Sequence, residues 1–119
     1  MDTDSHTLSP EVIDILRLIG RKWSLNVLHT LVHEPMGFGE LKQQINGVSA
    51  SVLSDLLSEF MDKEVLEKRS ISISPPRSAY FITSFGSVLC EIVDSIVTWS
   101  DELARRKGHV HIEEVTDET

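Results

Sequence analysis

The 119-residue sequence contains a single cysteine, Cys90. It can therefore hold no internal disulfide and no cysteine-built metal cluster. Cys90 lies in an apolar helical stretch and reads as a small core hydrophobe rather than a redox sensor. No apolar run is long enough to span a bilayer. The N-terminal MDTDSHTLSPE is acidic, where a secretory signal would be basic and then apolar. The expectation is a cytoplasmic protein with no membrane partner. Nor is there a nucleophile–base pair, a phosphate-cradling glycine loop or a metal set, which argues against an enzyme and leaves no cofactor to name. Cations are scarce too: 11 Lys+Arg stand against 19 Asp+Glu, a net charge of −8. Nucleic-acid binders usually carry a basic excess. Much of the acidity is terminal, however. Removing the six carboxylates of Asp2, Asp4, Glu113, Glu114, Asp117 and Glu118 from −8 leaves −2 for the body. Local clustering of cations then matters more than the sum.

The stretch Phe38–Phe60 organises the rest. Leu41 and Ile45 share one face of a short helix, and Val52, Leu53, Leu56, Leu57, Phe60 and Met61 make a second apolar stripe at steps of three and four. Asn46-Gly47-Val48 lies between them, with Gly47 free to take positive φ and Ser49 or Ser51 placed to cap the second helix. Two helices and a tight turn of this kind form a helix-turn-helix signature, although a plain helical hairpin has the same pattern.

Upstream, Ser9-Pro10-Glu11 is a helix start, with Val12, Ile13, Leu16 and Ile19 as its inward face. Arg21-Lys22-Trp23 opens a second helix whose apolar side is Trp23, Val27, Leu28, Leu31 and Val32, and Glu34-Pro35 ends it. His29 and His33, four apart, read as a solvated face rather than a metal pair. Met36-Gly37-Phe38 can add a very short strand. Downstream, Val65–Ile73 reads as a strand, with Ile71 and Ile73 facing a covered side. Ser74-Pro75-Pro76-Arg77-Ser78 reads as a loop, because two prolines remove two ladder donors, and Ala79–Ile82 as the returning strand. A hairpin following a helix-turn-helix is the wing of a winged helix.

Thr83 or Ser84 caps a last helix carrying Phe85, Val88, Leu89, Ile92, Val93, Ile96, Val97, Trp99 and Leu103. So wide an apolar stripe needs cover on two sides, most simply from a second copy of the chain, the alternative being a helix packed fully into its own domain. Arg105-Arg106-Lys107-Gly108 ends it. His109, His111, Glu113 and Glu114 read as a tail rather than a chelate. The expected organisation is a flexible N-terminus over 1–8, a mostly helical α+β winged helix-turn-helix with terminal dimerisation helices over 9–107, and an acidic flexible tail over 108–119.

Ile19-Gly20-Arg21-Lys22-Trp23-Ser24 resembles the IGGKW-[ST] hallmark of HxlR-type winged helix-turn-helix regulators, relatives of the MarR proteins. Phe38-Gly39-Glu40-Leu41 resembles their FxEL segment. Val48-Ser49 through Leu53-Ser54 resembles their recognition helix, and Pro75-Pro76-Arg77 through Tyr80, Thr83 and Gly86 their wing, PPRxxYxLTxxG. The resemblance covers residues 9 to about 103 and implies a dimeric, sequence-specific, DNA-binding transcriptional regulator of the cytoplasm. The implied base-facing residues are Ser49, Ser51, Ser54, Asp55 and Ser58. Arg77 would enter a minor groove, and Lys42, Lys68 and Arg69 would meet phosphates. Leu89, Ile92, Val93, Ile96, Trp99 and Leu103 would form the dimer interface. Family members commonly carry Lys or Arg near Ser51 and Ser58, and several sense oxidants through a cysteine just before the first helix, where this chain has Ser9. Two further readings stand beside this one: a winged-helix protein-interaction module with little DNA affinity of its own, and a regulator gated by an unidentified small-molecule effector between the dimer helices and the DNA-binding units.

Overall fold

The computed structural model describes residues 7–108, and Ser9 caps its first helix. Its Oγ accepts from the Val12 amide at 3.2 Å and Pro10 occupies the first turn, so helix α1 runs Pro10–Ile19. Helix α2 (Ser24–His33) starts later than the sequence led us to expect. Trp23 has φ 79, a left-handed conformation that no right-handed helix can include, so Arg21-Lys22-Trp23 forms the turn before the helix. Ser24, fully buried, donates its Oγ to the Leu18 carbonyl at 2.6 Å and closes that turn. Helix α3 (Phe38–Gln44), a turn at Gly47 and helix α4 (Ala50–Asp62) follow.

Strands β1 (Leu66–Ile73) and β2 (Pro76–Ile82) form an antiparallel ribbon, and helix α5 (Ser84–Arg106) ends the body. Met36 pairs with Tyr80 on the free side of β2 through a 2.8 Å hydrogen bond, which is the very short strand expected there. The expected five-residue loop is tighter. Pro76 pairs with Ile73 as the first residue of β2, where no ladder donor is needed, and only Ser74-Pro75 turns the chain. The covered face expected for Ile71 and Ile73 is also absent, since both are exposed. The register shifts between Ser70 and Ser72, and the ribbon's tip stands clear of the body.

The core gathers around α4. Leu53, Leu56, Leu57 and Phe60 are at most 1% exposed and pack with Leu18, Val27, Leu28, Leu31 and Leu41. Burial of side chains this large stabilises the fold by about 1.5–3 kcal/mol each. Helix α1 corrects the sequence reading: Leu18 is its buried residue, with Ile15 and Ile19 packed beside it, while Val12, Ile13 and Leu16 face outward. The helix is apolar on two faces, and periodicity could not say which was covered. Among the described residues no helix is long and apolar enough to cross a membrane. The expectations for the tail beyond Gly108, His109 and His111 included, and for residues 1–6 fall outside the described residues.

Two contacts lock the periphery. Thr83 donates its Oγ1 to the Glu64 carbonyl at 2.6 Å and accepts from the Gly86 amide at 2.8 Å, setting the start of α5 against the start of β1. Gly86 sits so close that an added Cβ would lie 2.3 Å from the Val65 carbonyl oxygen. On the other side, Arg17 reaches Asp14 at 2.7 Å and Glu59 at 3.3 Å, and Lys63 reaches Asp14 at 2.7 Å. The pairs of Arg17 with Glu59 and of Lys63 with Asp14 tie α1 to α4 and its C-cap. The hydrogen bond from Lys63, and then that from Arg17, holds the Asp14 carboxyl below the usual carboxylate range, and Asp14 in turn raises Lys63.

Gly86→Ala should destabilise the fold by about 1–3 kcal/mol, because the obstructing atom is backbone and cannot swing aside; a urea melt reads it as a lowered midpoint with unchanged slope. Asp14 should matter through pH. Its folded pKa lies below the unfolded value, so its stabilisation is present above the usual carboxylate range and is lost as pH falls through the folded value. The urea midpoint of Asp14→Asn should therefore lie below that of the wild type near neutral pH, and the two should converge on acidification.

Candidate nucleic-acid interface

The turn between α3 and α4 is set by Gly47 at φ 102. A Cβ there would lie 3.2 Å from Cη2 of Trp23, so the indole packs against the turn and braces it from the α1–α2 side. On the entry to α3, Glu40 turns its Oε1 back to accept from the Gly37 amide at 2.9 Å. Ser49 caps α4, its Oγ accepting from the Val52 amide at 3.1 Å. That oxygen serves the helix rather than facing outward as an uncommitted group, which qualifies the expectation for Ser49.

With Leu53, Leu56, Leu57 and Phe60 turned inward, Ser51, Ser54, Asp55 and Ser58 share the exposed face of α4 at steps of three and four. Asp55 is not free. Its carboxylate accepts from Nη1 of Arg21 at 2.9 Å, and the same nitrogen contacts Glu59. Arg21, Ser51, Val52, Ser54, Asp55 and Ser58 line one shallow concavity. Sequence reasoning passed over Arg21. The signal was there, because Arg21 stands where the IGGKW hallmark has its second glycine.

The other cations expected to meet DNA sit on α3 and on the wing. Lys42 is exposed on α3, and Arg77 is exposed near the tip of the wing, opposite Ser72. Neither makes an ion pair among the described residues. Lys68 lies over the Tyr80 ring at 5.6 Å, while Arg69 lies over the Phe81 ring at 4.2 Å and pairs with Glu67. Adjacent on a strand, Lys68 and Arg69 point to opposite faces of the ribbon. Lys22 sits 5.2 Å from the Trp23 ring centre.

The six residues expected at a dimer interface divide. Val93 is buried and Leu89 is partly buried against the core, whereas Ile92, Ile96, Trp99 and Leu103 are exposed. Phe85 and Val88 extend that apolar strip, and Val12, Ile13 and Leu16 of α1 add a second one that the sequence reading had turned inward.

A cleft of ≈ 490 Å³ lies between α2 and α5, walled by Trp23, Val32, Val93 and Val97 and edged by His29, His33, Cys90 and Asp94. The two imidazoles meet edge to face at 4.9 Å, and no group of three metal-ligating side chains occurs among the described residues. Burial, and then the charge of Asp94, raises the pKa of the Cys90 thiol, which lowers its thiolate fraction.

This arrangement matches known proteins closely. The model of the family described as HxlR-like helix-turn-helix matches residues 18–108. The HTH-type transcriptional regulator YodB of Bacillus subtilis is 25% identical over 97 residues, covering 82% of this chain and 87% of YodB. The putative regulatory protein MalR of Fusobacterium mortiferum is 31% identical over 88 residues, covering 73% of this chain and 83% of MalR. Among solved structures, a MarR-family regulator of Enterococcus faecalis V583 superposes with a TM-score of 0.74 at 28% identity, covering 87% of this chain and 96% of the other. Diamide-treated YodB superposes with a TM-score of 0.72 at 25% identity, covering 82% and 96%. With the hallmark residues shaping the turn, the wing and the entry to α5, and with the family model spanning most of the body, this chain belongs to the HxlR-like helix-turn-helix transcriptional regulators.

Proposed function

We propose that this regulator is a cytoplasmic homodimer that binds duplex DNA sequence-specifically, inserting α4 into the major groove. The observation that carries the reading is the solvent-facing serine stripe of α4, together with the exposed cations Lys42 and Arg77, which make no ion pair among the described residues. Ser51, Ser54 and Ser58 would meet base edges, with Ser49 and Asp55 acting through the helix cap and through Arg21 respectively. Arg77 would enter the minor groove, and Lys42, Lys68 and Arg69 would engage phosphates. The exposed apolar strips of α1 and α5 supply the pairing surface, centred on Ile92, Ile96, Trp99 and Leu103. The interaction-module reading draws its support from the acidic net charge, and salt response separates the two.

YodB has been solved in diamide-treated and quinone-bound forms. For this chain a thiol-based response has little support, because Cys90 is the single cysteine and its thiol is raised in pKa. A small-molecule effector, if the regulator has one, would fit the cleft between α2 and α5.

Selection from a randomised duplex pool should return a two-fold-symmetric site with half-sites about one turn, roughly 34 Å, apart. Affinity for it should fall steeply with salt, and Arg77→Ala should weaken it while leaving the thermal midpoint within the wild-type range. Selection that enriches nothing, at low ionic strength, favours the interaction module. Ile96→Asp should shift the protein from dimer to monomer in sedimentation and abolish the selected binding; a wild-type protein already monomeric at assay concentration sinks the dimer reading.

A further inference from the structure

The recognition face has an electrostatic gap. Its exposed residues on α4 are three serines and Asp55, so the helix brings no cation of its own to a polyanion. One guanidinium nevertheless stands at this face. Arg21, from the α1–α2 turn, lines the same concavity as Ser51, Ser54, Asp55 and Ser58. Its side chain keeps 29% of its surface in solvent.

How Arg21 is held is informative. Both of its acidic contacts, to Asp55 and to Glu59, use the single nitrogen Nη1. Among the described residues no hydrogen bond uses its Nε or Nη2. A guanidinium donates along two edges in a fixed fork, and the Nε–Nη2 edge has the geometry that grips two oxygens of one phosphate. Glu59 is itself shared with Arg17, so one of the two carboxylates anchoring Arg21 is braced from α1. Anchoring by Nη1 alone removes rotamer freedom in advance and leaves the gripping edge open.

Resting on the DNA-binding reading above, we propose that Arg21 is a DNA-contact residue: its Nε–Nη2 edge takes a backbone phosphate beside α4, with nearby serine hydroxyls as further donors. Asp55 then has a definite part. It positions Arg21 and is neutralised by it, which removes the repulsion a bare carboxylate on the recognition face would exert on phosphate.

The competing role for Arg21 is neutralisation alone, with no contact to DNA. Fluorescence anisotropy on a mixed-sequence duplex of about 30 base pairs, repeated across a salt series, separates the two. Arg21→Gln should weaken binding about tenfold or more and flatten the slope of log affinity against log salt by about 0.9 for each protomer bound. Arg21→Lys should restore the slope. In the double variant Arg21→Gln with Asp55→Asn, the local charge is balanced as in the wild type. Its affinity and slope should stay low if Arg21 touches phosphate. Return of both to wild-type values, or an unchanged slope in Arg21→Gln, overturns the proposal. Because Arg17 still pairs with Glu59, each variant should fold, and its thermal midpoint checks that it does. Wild-type protein that binds no duplex at low salt defeats the DNA-binding reading itself, whereas binding indifferent to Arg21 defeats only this inference.

Discussion

Leu53, Leu56, Leu57 and Phe60 have almost no contact with solvent, and that burial determines which way α4 faces. Side chains on a helix are fixed relative to one another, so seating this quartet leaves the rotation of the helix no freedom. The serines opposite it are presented because the quartet is sealed, and the α1–α2 turn, the wing and α5 are arranged around that core. Trp23 against Gly47 braces one end of the unit, and Thr83 with Gly86 clamps the other. None of these contacts is large in energy. Each removes one direction in which the serine face of α4 could drift.

The acidity of the chain looks less contradictory once its pairing is known. Asp14 is held between Arg17 and Lys63, Asp55 and Glu59 share Arg21, and Glu102 takes both Arg105 and Arg106. Exposed pairs of this kind add little to stability. Their effect on the field around the molecule is greater, because a paired carboxylate projects far less charge than a bare one. Net charge therefore describes this surface poorly. The local balance around α4, Lys42 and Arg77 is what an approaching polyanion would meet.

Much of this was legible from residues alone, and the losses have identifiable causes. The cap at Ser9 and the reversal at Gly47 follow local chemistry and stand where the sequence put them, and of the paired candidates Ser49 or Ser51 and Thr83 or Ser84 the first of each is the cap. Helix α1 failed on orientation: a helix apolar on two sides offers periodicity no means of choosing, and Leu18 rather than Leu16 went inward. The wing failed at its tip, where Ile71 and Ile73 alternate like buried residues yet have nothing above them. Arg21 escaped notice because its partners lie 34 and 38 positions away, and only the folded chain brings a turn residue to the side of α4.

The wing has one further property. Met36 covers the far side of β2 at Tyr80, so among the described residues β1 is the open margin of the ribbon. Such a margin is a template on which another chain can add a strand and begin aggregation. Here the register slip at Ser70–Ser72 interrupts the template, and charged Lys68 and Arg69 populate it just before the break. A fully regular β1, one residue shorter, would be a better ladder and a worse neighbour in a crowded cell.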